Sequence, residues 1–147
     1  MQNFDLSSFL PYQLAVLSER VSREFSAIYR ARYGISRAEW RVLAHLSQTD
    51  AVSVRDIVEW AELEKSKVSR AATRLESAGF VTKGANASDR RLVKLALTPK
   101  GRALMADMAP LAHDFERRVL ARLGPEAEGF LTAVEKLTQD KAAGSPM

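Results

Sequence analysis

The sequence predicts a mainly α-helical fold with a small β-wing, in which a winged helix-turn-helix is flanked by long N- and C-terminal helices. Two observations predict it. Residues 52–98 read as a helix, a short turn, a second helix with a basic outer face, and a hairpin. Long amphipathic helical patterns precede and follow this segment. That order is typical of proteins that place one helix in the major groove of duplex DNA and a wing arginine in the neighbouring minor groove.

Length and composition limit the classes of protein. The 147 residues suit a single domain over residues 1–147, and the chain contains no cysteine. Disulfides, cysteine-ligated metals and thiol redox switches are therefore excluded. No apolar run reaches the roughly 18 residues needed to span a bilayer, and no secretory signal opens the chain. We expect a cytoplasmic protein without a membrane partner.

The positive charge is unevenly distributed. The chain has a net charge of +4, yet residues 64–94 contain eight lysines or arginines and three carboxylates, which leaves +5 there and −1 elsewhere. A basic block in a nearly neutral frame predicts a localised binding site for a polyanion. The alternative interpretation is a solvated surface with spare lysines.

The first long segment, residues 5–33, carries one apolar helical stripe that ends before Gly34. Its members are spaced three and four apart: Leu10, Leu14, Leu17, Val21, Phe25 and Ile28. A stripe of this length needs a long partner, and a helix of another subunit is one candidate. Ser36 and Glu39 then form a capping-box pattern, which predicts the start of the next helix.

The two central helices follow in close succession. Ser53 caps the first, with Asp56 in its first turn, and residues 62–64 form the turn. The second runs over residues 65–78, and Gly79 is free to adopt the left-handed conformation that ends a helix. Its inward residues are Val68, Ala71, Ala72 and Leu75. The residues of this helix that we expect to face DNA are Lys65, Ser66, Lys67, Ser69, Arg70, Thr73 and Arg74.

The outward residues suit both kinds of DNA contact. Arg70 and Arg74 can each bond a guanine edge bidentately, with a discrimination of about 1–3 kcal/mol. The short hydroxyls suit phosphate oxygens or a thymine methyl, and the lysines suit phosphates. These are Ser66, Ser69 and Thr73 among the hydroxyls, and Lys65 and Lys67 among the lysines.

The predicted wing has strands over residues 80–83 and 93–98, and its tip is Asp89, Arg90 and Arg91. The Asp89 carboxylate could hold an arginine extended for a narrow minor groove. The alternative is a surface ion pair worth about 0–1 kcal/mol.

Two helices complete the predicted chain. Thr98 and Pro99 open a long helix that reaches about Leu123, and residues 126–138 form the last one. Residues 139–147 are small and polar, and we expect them to form a disordered tail.

Taken together, the motifs resemble the MarR (multiple antibiotic resistance regulator) family of winged helix-turn-helix transcription factors. The resemblance is carried by residues 36–43, 65–70, 74–81, 89–91 and 95–101 and covers nearly the whole chain.

The resemblance implies how the chain is organised and what it binds. It implies a homodimer built from residues 5–33 and 99–138 around a winged helix-turn-helix at 36–98. It further implies a repressor of a pseudo-palindromic operator in double-stranded DNA. In that reading Arg91 is the wing arginine and Asp89 orients it.

Some members of the family bind small aromatic or phenolic anions between the dimer helices and the DNA-binding lobe. The resemblance places Tyr29, Arg30, Trp40 and His45 on segments that border such a crevice. At such a site a residue like Trp40 is more often plain core than a ligand contact, and one like His45 is more often a half-buried histidine with satisfied hydrogen bonds. Peroxide sensing through a cysteine, known in other members, does not transfer to a chain without cysteine.

Other function classes find little support. Two histidines, no cysteine and no glycine-rich phosphate loop predict no catalytic residues and no enzyme. The absence of a histidine-rich or carboxylate–histidine cluster predicts no metal site, and no cofactor is expected. The remaining alternative is a winged-helix interaction module that does not bind DNA. The intact basic helix and the Arg90–Arg91 pair argue against it.

Overall fold

A computed structural model describes residues 3–49, 51–61, 63–85 and 93–139 of the chain. Its longer elements are α1 (Leu10–Tyr33), α2 (Arg37–Leu46), β1 (Val52–Ser53), α3 (Val54–Ala61), α4 (Lys65–Ser77), β2 (Val81–Ala85), β3 (Val93–Leu97), α5 (Pro99–Ala121) and α6 (Ala127–Gln139). Short 3₁₀ turns precede α1 and α6. The predicted fold class, mainly helical with a small β-wing, is confirmed.

The three strands form one antiparallel sheet in the order β1–β3–β2. The short β1 pairs Val52 with Leu95 of β3. On the other side β2 and β3 form the described part of the hairpin, from the pair Val81–Leu97 to the pair Ala85–Val93. Since α3 begins directly after β1, the pairing of β1 with β3 holds the first residue of α3 beside the sheet.

The core lies within residues 1–109, where α2, α3, α4 and the sheet pack together. The predicted inward residues of α4 are almost entirely shielded from solvent. The most buried side chains of this core include Val42, Leu43, Leu46, Ile57, Val68, Ala72, Leu75, Leu95, Leu104 and Met108. The alanines on the inner face of α4 leave room for close approach by α2 and α3.

The predicted helix ends at Ser36 and Gly79 are confirmed. Ser36 and Glu39 form both bonds of the capping box. Gly34 and Gly79 adopt positive φ of 67° and 85°, the left-handed conformation that glycine adopts without steric cost. Ser53 accepts a hydrogen bond from the Asp56 backbone N–H at 3.1 Å.

The predicted start of the first helix at Asp5 is wrong. The Asp5 carboxylate accepts a hydrogen bond from the Ser7 backbone N–H, which caps a 3₁₀ turn, and the α-helix starts only at Leu10. Other boundaries differ by one to three residues. The helix after the wing ends at Ala121 rather than Leu123, and the strand after Gly79 covers Val81–Ala85 rather than residues 80–83.

Residues 110–147 form a second compact unit. Its described part contains the end of α5 and α6, and in α5 Asp114 pairs with Arg117 at 3.3 Å and Arg118 at 3.1 Å. No residue of α6 is buried. Of the helices in the described part of the chain, none is long and apolar enough to cross a membrane.

Candidate nucleic-acid interface

One face of α4 is buried and the other is open to solvent. Val68, Ala71, Ala72 and Leu75 are at most 1% exposed. Of the seven residues that the sequence directs toward DNA, Ser69 is half-buried and the remaining six are exposed. The structure therefore brings all seven to the outer side of one helix that the core holds rigidly from behind.

The arginines of this face are available for a ligand. Arg70 and Arg74 lie one turn apart and, with Ser69 and Thr73, line a shallow depression on the helix. Among residues 3–49, 51–61, 63–85 and 93–139, no carboxylate forms an ion pair with either arginine. Guanidinium groups at i and i+4 lie on the same side of a helix, and each can bond a guanine edge bidentately.

A residue that the sequence reasoning left out of the site joins this face. Lys83 of β2 places its Nζ atom 2.7 Å from Oγ1 of Thr73. Thr73 in turn donates its hydroxyl hydrogen to the Ser69 carbonyl at 3.0 Å. The signal was present in the strand: Lys83 lies two positions after buried Val81 and therefore on the same face of the sheet.

The wing is described only up to its base. The hairpin pairs extend to Ala85 and Val93. Asp89, Arg90 and Arg91 lie outside the described residues, so their role at the wing tip stays a prediction.

The C-terminal end of α4 is fixed to the start of α5 by hydrogen bonds. The Thr98 hydroxyl donates to the Gly79 carbonyl at 2.6 Å, and Lys100 Nζ donates to the Ala78 carbonyl at 2.7 Å. The Gly101 N–H donates to the Thr98 hydroxyl at 3.0 Å. A Cβ atom on Gly101 would overlap the Phe80 carbonyl oxygen. We call this region, residues 78–80 and 98–101, the α4–α5 junction.

The four residues predicted for a small-molecule site do not all come together. Tyr29 and Trp40 stack at 5.3 Å between ring centroids, and Phe25 packs edge-on against both. Tyr29 is only 1% exposed, and burial raises the pKa of its hydroxyl. Arg30 is exposed on the neighbouring position of α1.

The fourth residue, His45, contacts a different aromatic side chain. Its ring lies 5.9 Å from that of Trp60, an indole that is 48% exposed. Burial, followed by the charge of Arg41, lowers the pKa of His45, which favours the neutral imidazole. In the described part of the chain, no three histidine or carboxylate side chains cluster in a way that could hold a metal ion.

Comparisons with known proteins agree with this geometry. A family model described as MarR family matches residues 33–92. The HTH-type transcriptional repressor Rv2887 of Mycobacterium tuberculosis is 31% identical over 134 residues, which cover 90% of this chain and 93% of that protein. The chain belongs to the MarR family. It is a transcriptional regulator of the winged-helix type and not an enzyme.

Solved MarR structures share the fold. The MarR family regulator SPO1453 from Silicibacter pomeroyi has a TM-score of 0.76 and 31% identity, covering 93% of this chain and all of that one. BpsR of Bordetella bronchiseptica has a TM-score of 0.74 and 23% identity, covering 95% of this chain and 99% of that one. The DNA binding of BpsR is described as regulated by 6-hydroxynicotinic acid.

Two carboxylates of this MarR protein, exposed Glu19 and half-buried Asp107, join α1 to other helices. Glu19 accepts hydrogen bonds from Arg37 of α2 at 2.9 and 3.3 Å, and these bonds lower the pKa of Glu19 to about 2. Asp107 of α5 accepts from Arg32 Nε at 2.6 Å and from the Tyr33 hydroxyl at 2.6 Å. Its pKa is also lowered to about 2. Both contacts lie within residues 1–109, so the middle and the C-terminal end of α1 are bonded to other helices of the same unit.

Proposed function

We propose that this protein is a homodimeric, sequence-specific repressor that binds a pseudo-palindromic operator in double-stranded DNA. The observation that carries the proposal is the exposed, unpaired basic face of α4 in front of a closely packed core. In this proposal Arg70 and Arg74 read base edges, while Lys65 and Lys67 neutralise phosphates. As a protein that acts on the genome, it would work in the cytoplasm.

Exposed apolar residues support the homodimer. Leu10, Leu14 and Leu17 of α1 are 53%, 46% and 44% exposed, although they belong to the apolar stripe that the sequence predicts. In the other unit, α6 exposes Phe130, Leu131, Val134 and Leu137. Apolar rows of this length are unfavourable in water and are typical of subunit interfaces. A two-fold dimer presents two α4 helices, which match an inverted repeat when they lie about 34 Å apart.

The wing completes the proposed interface. Arg91 enters the minor groove and Asp89 orients it, as the family resemblance implies. We expect Arg91→Ala to weaken operator binding at least tenfold, since a guanidinium in a narrow minor groove loses its contacts outright. Operator affinity and sedimentation are measured together: a variant that binds like the wild type would remove Arg91 from the interface, and a monomeric variant would show that Arg91 acts on assembly.

A small aromatic effector is the proposed signal. BpsR shows that a protein with this fold is regulated by an aromatic acid. In this chain, half-buried Trp40 and exposed Arg30 offer a ring face and a cation, with Tyr29 as the wall behind them. His45 contacts Trp60, so it would border the proposed effector site only from α2. Such a ligand releases DNA only if it binds the DNA-incompetent dimer more tightly.

The decisive experiment is selection of binding sites from a random duplex pool, read by sequencing and repeated at several salt concentrations. We expect an enriched inverted repeat, which would establish a dimeric sequence-specific regulator. Retention of every sequence with a steep salt dependence would leave a non-specific DNA binder. No binding at any salt concentration would favour the interaction module that does not bind DNA.

A further inference from the structure

The contact between β2 and α4 carries an inference about the DNA interface itself. We propose that Lys83 is a phosphate-contacting residue of the operator complex and that Thr73 is the residue that positions it. The inference rests on the proposed function and deepens it, because it extends the interface from the helix to the base of the wing. It also changes the role that the sequence alone assigned to Thr73.

The sheet register places Lys83 beside the helix. Lys83 is directly opposite Leu95 in the β2–β3 pair, and side chains of such a pair share one face of the sheet. Leu95 is fully buried. The aliphatic stem of Lys83 therefore follows the core-facing side of the hairpin, and only its ammonium group emerges, at the exposed edge of α4.

The hydrogen bonds of Thr73 define its role. Its hydroxyl hydrogen is donated to the Ser69 carbonyl, so the hydroxyl has no hydrogen left for a phosphate oxygen. Its oxygen still accepts, and Lys83 Nζ occupies that acceptor position at 2.7 Å. Thr73 thus acts on DNA through the lysine that it holds.

The ammonium group retains binding capacity. A lysine carries three N–H donors, and Thr73 uses one of them. Among the residues that the structure describes, Lys83 forms no ion pair with a carboxylate. The ammonium group has two donors that no described residue uses, and it lies beside a face with Arg70 and Arg74. It suits a phosphodiester better than a base edge, because ammonium is a point charge without the bidentate geometry of guanidinium.

The test compares salt dependence of DNA binding for wild type, Lys83→Met and Lys94→Met. Lys94 is the matched control, since it carries the same charge on the adjacent strand but lies on the opposite face of the hairpin from Lys83. We expect Lys83→Met to reduce the slope of log affinity against log salt by about 0.9, or about eightfold in affinity at 0.1 M salt. The reduction should be the same on the selected operator and on an unrelated duplex. Lys83→Arg should restore most of the slope.

A double-mutant cycle tests the positioning role. Thr73→Val alone should weaken binding, and Thr73→Val added to Lys83→Met should cause no further loss, because Thr73 acts through Lys83. Fully additive losses would show that Thr73 contacts DNA independently and would overturn its positioning role. Circular dichroism melting of each variant verifies that the fold persists.

The remaining outcomes separate the two proposals. If the wild type binds DNA and Lys83→Met has an unchanged slope, or one equal to that of Lys94→Met, the Lys83 inference is wrong and the proposed function stands. If the wild type binds no duplex at any salt concentration, the proposed function fails and the inference fails with it.

Discussion

The outer face of α4 and the α4–α5 junction just beyond the C-terminal end of that helix are built in opposite ways. On the outer face, Arg70 and Arg74 have no carboxylate partner among the described residues. At the junction, Thr98 and Lys100 are each bonded to a backbone carbonyl at the end of the helix. Hydrogen-bond donors without a partner inside the protein are available to a ligand, whereas donors bonded within the protein stabilise the fold.

The largest effect is expected at the junction. In Gly101→Ala, the new methyl group overlaps the Phe80 backbone carbonyl, which cannot move without breaking its bond from the Thr98 N–H. We expect a loss of about 3 kcal/mol in the free energy of unfolding, measured by urea denaturation. Gly84→Ala is the control, because no heavy atom lies within 4 Å of a Cβ there. Equal stability of the two variants would show that the junction is loosely packed.

The outer face should respond in the opposite manner. We expect Arg70→Ala and Arg74→Ala to leave the unfolding free energy nearly unchanged but to reduce operator binding by about 1–3 kcal/mol each. Binding to an unrelated duplex should fall less, since base contacts exist only on the operator. Lys65→Ala is the comparison variant, and we expect it to weaken both duplexes equally. If the arginine variants also weaken both duplexes equally, they contact phosphates rather than bases.

A smaller effect on stability is expected from Lys100. Its Nζ atom bonds the Ala78 carbonyl and lies 4.7 Å from the centre of the Phe80 ring. Lys100→Met keeps the stem but removes both interactions, so we expect a loss of about 1 kcal/mol in thermal or urea unfolding. Lys94→Met removes the same charge from an exposed position and should have little effect on stability. A comparable loss in both variants would attribute the effect to charge alone.

The smallest effect concerns the pH dependence of stability. The pKa of Asp107 falls from 3.8 to about 2 on folding, because Arg32 and Tyr33 bond its carboxylate. A lowered pKa adds stability that is complete above the unfolded value and is lost as the pH falls from about 4 toward 2. We expect urea denaturation of Asp107→Asn to show a shallower decline over this pH interval than the wild type does. Glu59→Gln, at an exposed position of α3, serves as the control and should decline like the wild type.

Local signals explain why most of the fold could be predicted from the sequence. The capping box at Ser36, the left-handed glycine at Gly79 and the spacing of apolar residues in α4 are each determined within a few residues. The start of the first helix was predicted less accurately: the helical segment was expected from residue 5, but Leu6–Ser8 form a 3₁₀ turn and the α-helix starts at Leu10.

Contacts between distant residues were beyond that reasoning. The bond from Lys83 to Thr73 joins a strand to a helix and depends on the register of a hairpin, which no single segment encodes. The contact of His45 with Trp60 likewise depends on how α2 and α3 pack. Gly101 belongs to residues 95–101, one of the segments that carry the family resemblance. The physical reason for a glycine at this position, its close contact with the Phe80 backbone, became visible only in the structure.

The bonds at the α4–α5 junction also determine how motion passes through the molecule. Since the carbonyls of Ala78 and Gly79, directly after α4, are bonded to Lys100 and Thr98 at the start of α5, we expect a displacement of that start to be passed to the end of α4. The 13 residues of α4 span about 20 Å, so a rotation of about 10° at the junction displaces the Lys65 end by about 3 Å. That displacement is several times the range over which a hydrogen bond to a base keeps its strength. In the proposed operator complex, a rotation of this size would be sufficient to break base contacts without any effector touching the basic face.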